Sequence, residues 1–270
     1  RSRGLGDVYK RQLITVLSIG FLLVYVLVKG IPNLNADIFS WEYTSDNCSL
    51  VPALINTVYM TLLSLLIAGP IGIFAAIYLV EYAKTGNKLV GVVRITAETL
   101  TGIPSIVYGL FGMLFFTNAC GLRLSLISGA LTLAIMVLPV IMRTTEEALM
   151  AVPKSYREGS FGLGAGKLRT VFKVVLPSAV PGILSGIILA TGRIVGETAA
   201  LIYTAGSVAK MATKLTDSTR TLAVHMYLLS KEGLHTDQGY ATAVVLLVLV
   251  VLINFASDKI AGKVAADKAN

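Results

Sequence analysis

Arg193 and Glu197 stand four residues apart in the stretch GRIVGETAALIYTAG, which is otherwise apolar enough to lie in a bilayer. That spacing puts both on one face of a helix. A charge at membrane depth costs about 3 kcal/mol on insertion scales and is retained where it faces a bundle interior or a wet pathway. Two roles are open. The pair could be an ion pair that holds helices together. Alternatively, Arg193 offers its planar fork to an oxyanion while Glu197 orients the guanidinium and limits its grip. The second is the functional expectation. Arg94 and Glu98 repeat the spacing at the head of another apolar stretch. There a long side chain snorkels cheaply to the interface, so this pair is expected to be structural or interfacial.

A different chemistry lies in residues 158–177, EGSFGLGAGKLRTVFKVVLP, a polar, basic segment between two apolar spans. Glu158, Gly159 and Ser160 would lie on a short helix with little side-chain bulk, which another protein's groove can approach closely. Gly164 takes a positive φ readily and ends that helix. Leu168, Val171, Phe172 and Val175 recur at helical spacing and predict a second amphipathic helix. Pro177 marks the start of the next span. The plain alternative is an ordinary solvated basic loop. Within the segment, residues 162–167 (GLGAGK) imitate a phosphate-binding loop. However, the position five before the Gly-Lys pair is Phe161 rather than Gly, and Leu168 stands where a Ser or Thr would hold magnesium. Nucleotide binding by this chain is rejected. Cys48 and Cys120 form no framework and read as unpaired. His225 and His235 lie ten apart without a cysteine cluster and predict no metal site. No cofactor is expected, and no Ser-His-Asp or paired-carboxylate set suggests catalysis.

The elements that position these residues follow from composition. Hydrophobic residues make up 55% and charged residues 14% of the 270, with a mean hydropathy of +0.76. Such values lie well outside the range of soluble domains. Six stretches reach the length of about 20 apolar residues that a bilayer demands. They fall near 13–28, 51–80, 100–116, 124–142, 184–203 and 240–256. Each must be a helix that satisfies its own backbone. Gly69-Pro70 predicts a tilt or kink in the second. With both termini inside, sixteen Lys or Arg fall on the cytoplasmic side and six outside. That split fits the positive-inside rule and puts residues 158–177 in the cytoplasm. The net charge of +8 is therefore read as topology, not as a nucleic-acid footprint. Residues 1–12 are a polar basic head with no helical face, reading as a truncated or non-native start, and 13–30 are the first transmembrane helix. The segment 206–239 is a long outer loop, in which Leu222, Met226 and Leu229 share a face beside His225 and predict an interfacial or partly re-entrant helix, or one that packs on a docked partner.

Residues 158–177 resemble the cytoplasmic coupling (EAA) loop of binding-protein-dependent ABC permeases. That family's pattern is E-A-A, three residues, G, nine residues, then I-x-L-P. Here Glu158 opens it, Gly159 and Ser160 replace the alanines, Gly164 falls on the glycine, Val174 replaces isoleucine, and Leu176-Pro177 close it. The stretches ETLTGIPSIVYGLFG and GRIVGETAALIYTAG resemble the signatures of phosphate ABC importer permeases, the second most like the PstA type. The resemblance runs from about Val51 to Ala256 and implies an all-α polytopic membrane protein with the six-helix type I importer bundle. The domain would span 51–258, with the coupling loop at 146–177. It also implies a second permease subunit of PstC type, an ATPase dimer of PstB type that hydrolyses the ATP, and an extracytoplasmic phosphate-binding protein. The setting would be a bacterial plasma (inner) membrane, crossed several times with both termini cytoplasmic. Glu158, Gly159, Ser160, Gly164, Leu176 and Pro177 inherit the coupling role, and Arg193 and Glu197 the phosphate pathway. Rival readings are a permease for another oxyanion (molybdate, sulfate or phosphonate), an ion-coupled secondary transporter, and a structural subunit. No clear internal repeat supports the secondary transporter.

Overall fold

A long apolar segment in hydrocarbon has one local way to satisfy its backbone, the helix, and this chain takes it throughout. The computed structural model describes residues 2–84 and 86–266. Its helices are α1 Ser2–Gly30, α2 Val51–Ile77, α3 Lys88–Thr101, α4 Ser105–Gly112, α5 Leu126–Ala151, α6 Lys154–Gly162, α7 Lys167–Thr170, α8 Leu176–Val195, α9 Ala199–Thr204, α10 Leu222–Glu232 and α11 Thr236–Ala266. No strand occurs among the described residues. Among the described residues, five helical segments are long and apolar enough to cross a membrane, and α3 with α4 makes a sixth when that bent pair is counted as one span.

The central helix is α5, packed against α2 and α8. Leu133, Met136, Val137 and Ile141 along it are fully buried, with Met60 and Ala68 of α2 and Ile194 of α8 in the same cluster. A second cluster, around Leu149, Val171 and Val175, closes the end of the bundle that carries α6. A third, around Leu50, Ala53, Leu222 and Ala241, closes the opposite end, that of α10. Pro70 sits inside α2 without ending it. The polar head proves helical, because α1 begins at Ser2; a helix once nucleated in the apolar stretch propagates back through it.

Two predicted spans differ from the observed ones for identifiable reasons. The span expected near 100–116 is broken: α3 and α4 meet at 105°. Gly102 ends α3, and Pro104, extended at ψ 140°, begins the next helix without an N–H to give. The Tyr108 hydroxyl crosses the corner and donates to the Leu100 carbonyl at 2.7 Å. The span expected near 184–203 starts much earlier, since the helix is continuous over Lys167–Val195, and it stops at Gly196 before α9 resumes.

The 206–239 segment packs on the N-terminal end of α2. Asn56 of α2 donates to the carbonyls of Lys210 (2.9 Å) and Arg220 (3.3 Å) and accepts the Ala212 N–H at 2.9 Å. The Thr57 hydroxyl accepts the N–H of Leu222. Leu222, Ala223, Val224, His225 and Leu229 are buried, so that face of α10 packs on protein. His225 donates from Nε2 to the Cys48 carbonyl at 3.3 Å and stands edge-on to Tyr43, whose ring also carries the Arg220 guanidinium. Burial, reinforced by the Arg220 charge, lowers the His225 pKa to about 3. The unfolded chain takes up this proton below about pH 6.5 and the folded chain does not until about pH 3, so stability falls with pH across that window. Acidification from about pH 7 to pH 5 is expected to remove ~2 kcal/mol through this residue. The thermal midpoint in detergent should drop accordingly, and His225→Gln should flatten the dependence. An equal drop in the variant would place the titration elsewhere.

Candidate functional site

At one end of the bundle α6 and α7 form a small hairpin. Gly164 turns it, with φ +81°, a conformation that costs a side-chain-bearing residue energy. Gly164 donates to the Phe161 carbonyl (2.9 Å) and Ala165 to that of Ser160 (3.1 Å). The Ser160 and Thr170 hydroxyls bond across the hairpin at 2.9 Å. No residue of α6 is buried. Glu158 and Gly159 are exposed, and Phe161, Leu163 and Leu168 present apolar surface, Leu163 at 91%. An exposed apolar knuckle of this kind marks a surface that another protein covers. The predicted second helix divides: Val171 and Val175 are buried, while Leu168 and Phe172 stay outside. It does not stop at Pro177 but runs into α8. The turn Val171–Val175 is widened to the π register just before the proline, which gives the ring room where it would otherwise meet the carbonyl four residues back. Leu176 and Pro177 therefore lie inside a continuous helix.

Sequence reading passed over Arg157 and Glu81. Arg157 donates from Nε and Nη2 to Glu81 Oε1 at 3.0 and 2.7 Å, and also to the carbonyls of Val152 and Leu149, each at 2.9 Å. Nothing local announces a pairing between residues 76 positions apart. Arg94 likewise pairs not with Glu98 but with Glu146 of α5, at 2.5 Å. Glu98 instead faces Arg143 (3.6 Å), which also holds Glu147 (3.2 Å). These groups line a cleft of about 280 Å³ between α3 and α5.

The structure separates Arg193 from Glu197. Gly196 ends α8, so the two do not share a helix, and no carboxylate among the described residues lies within 4 Å of Arg193. The Glu197 carboxylate, buried, accepts the N–H of Ala200 at 3.0 Å and so caps α9, where a negative charge also suits the helix dipole. The four-residue spacing misled because it presumed an unbroken helix. Arg193 is half-buried, about 25 Å along the axis from Leu176 at a rise of about 1.5 Å per residue. It lines a groove of about 630 Å³ with Ser185, Leu189, Gly192 and Asn254. Tyr108 lies near enough to feel its charge. The two signature stretches meet here: α4 packs on α9 so closely that a Cβ on Gly109 would fall 2.8 Å from the Ala200 Cα. The arrangement presents a guanidinium without a carboxylate partner to a groove among membrane helices, a geometry suited to an oxyanion.

Among known proteins, the chain is 33% identical over 259 residues to the "Probable ABC transporter permease protein YqgI" of Bacillus subtilis (strain 168), covering 87% of this chain and 86% of that one. It is 39% identical over 182 residues to the "Phosphate transport system permease protein PstA" of Xylella fastidiosa (strain 9a5c), covering 67% of this chain and 63% of that one. Two solved structures share the fold. One is the MetNI methionine ABC transporter in an inward-facing conformation, with TM-score 0.61, 24% identity, and coverage of 77% of this chain and 93% of that one. The other is a bacterial alginate ABC transporter, with TM-score 0.61, 17% identity, and coverage of 94% and 97%. These likenesses bear out the all-α type I importer permease fold. Residues 68–266 match the family described as "Binding-protein-dependent transport system inner membrane component". A multi-pass helical chain with an exposed small-residue hairpin at one end and an arginine-bearing groove among its helices thus belongs to that family of transport-system inner membrane components.

Proposed function

We propose that this chain is the permease subunit of an ATP-driven inorganic phosphate importer. The observation that carries the reading is Arg193, held among membrane helices with its guanidinium unclaimed by any carboxylate within 4 Å among the described residues. A fork in that state binds a tetrahedral oxyanion bidentately. The relatives named as phosphate transport permeases support the choice of anion. In this reading the α6 end is cytoplasmic, as are both termini, and α6 and α7 dock through Glu158, Gly159, Ser160 and the Gly164 turn on a PstB-type ATPase dimer. A PstC-type permease completes the pathway, with Leu176 and Pro177 leading from the hairpin into the span that bears Arg193. A phosphate-binding protein delivers its cargo at the α10 end. Closure of the ATPase dimer moves α6 and opens the bundle outward; phosphate passes Arg193, and hydrolysis resets the bundle. Glu197 acts by capping α9, which keeps α4 and α9 in register beside the pathway. No covalent chemistry occurs on this chain, and ATP is hydrolysed on the partner.

The test is uptake of labelled inorganic phosphate into vesicles holding the assembled complex, with ATP and binding protein supplied. Saturable, ATP-dependent uptake that excess sulfate or molybdate does not suppress is expected. Uptake of one of those anions in place of phosphate would overturn the cargo.

A further inference from the structure

We propose that Arg157 and Glu81 form the joint through which movement of α6 enters the membrane bundle. This rests on the coupling role proposed for α6. A helix with no buried residue has little apolar packing to drag its neighbours along, so beyond the chain links that join it to α5 and α7, its hold on the bundle rests on polar contacts. The Ser160–Thr170 bond stays inside the hairpin. Arg157 reaches out of it. Its guanidinium holds Glu81, in the widened turn Tyr78–Tyr82 that ends α2, and the carbonyls of Leu149 and Val152 at the end of α5. One side chain thereby ties three elements. Four of its five N–H donors are engaged, and the pair is largely withdrawn from water, Arg157 at 19% and Glu81 at 9% exposure. That makes the contact stiffer than a surface ion pair, which water and salt loosen. Beside it lies a groove of about 560 Å³, lined by Val80 and Met150 from the bundle and by Lys154 and Glu158 from α6. The link therefore bridges a gap rather than filling a core. A lysine has the charge but not the fork, and cannot hold a carboxylate and two carbonyls in this geometry.

The experiment compares the parental complex with Arg157→Ala, Arg157→Lys, Glu81→Gln and the reversed pair Arg157→Glu with Glu81→Arg. Subunit recovery, ATP hydrolysis and phosphate uptake are measured on each, the last expressed per ATP hydrolysed. Arg157→Ala and Glu81→Gln should assemble with the ATPase and hydrolyse ATP, yet move at least about fivefold less phosphate per ATP, the size of effect that coupling residues carry. Arg157→Lys should restore little, and the reversed pair part of the loss. Glu81→Gln keeps the volume and an acceptor oxygen, so it guards against simple misfolding. Uptake per ATP unchanged in both single variants, whatever their abundance, would overturn the joint, as would a parallel fall of hydrolysis and uptake. A parental complex that carried another oxyanion would refute the cargo reading instead, and the same ratio taken with that anion would still judge the joint.

Discussion

Arg193→Ala is expected to abolish phosphate uptake, by about a hundredfold or more, while membrane abundance and subunit assembly hold. Charge-assisted hydrogen bonds contribute roughly 1.5–3 kcal/mol each, and a bidentate fork makes two. Assembly should survive because no carboxylate within 4 Å among the described residues depends on this guanidinium, so removing it strands no buried partner. Glu197 keeps its own partner, the Ala200 N–H. Arg193→Lys should recover only part of the rate, since an ammonium lacks the planar fork. A neutral double variant, Arg193→Ala with Glu197→Ala, should do no better than the single change, because the two side chains do not form a pair to be relieved. Uptake per molecule at the parental rate in Arg193→Ala would remove Arg193 from the pathway.

Gly164→Val should stop ATP-driven uptake with insertion intact. A Cβ at this position meets nothing within 4 Å, so crowding is not the reason; the backbone is. At φ +81° a β-branched residue carries strain of order 1–3 kcal/mol, which the exposed turn has no packing to resist. The turn should reshape and re-aim α6 away from its docking partner. Gly164→Asn, which tolerates the left-handed region, should be milder. The checks are co-purification of the ATPase and uptake per membrane-bound chain. Normal uptake with valine would show that the hairpin's shape is not what the partner reads.

How much of this was legible beforehand depended on range. The spans were visible because a bilayer imposes length and apolarity on each segment separately. The turn at Gly164 was visible because positive φ is a local demand, met by one residue type. Features that arise between segments were not. Glu81 and Arg157 are 76 positions apart, and Arg94 prefers Glu146 on another helix to Glu98 on its own. Gly196 broke the face on which Arg193 and Glu197 were expected to meet, because glycine in an apolar run reads equally as close packing and as a helix end. The α10 face looked amphipathic, but Asn56 and Thr57 draw the chain before it onto α2, and its apolar side is covered by protein.

The first helix obeys a different rule from the rest. Among the residues of α1 whose side chains are described, Gly30 is the one that is buried, Tyr25 touches Tyr240 edge-on at 5.9 Å, and none enters a buried cluster. The family match also begins only at residue 68. Up to its last turn, what this chain asks of α1 is greasiness and length; an outline is demanded at Gly30, where a Cβ would run into the Tyr240 carbonyl of α11. The stretch before Gly30 is therefore free to drift far more quickly over generations than α5, where a single added methyl group would have nowhere to go.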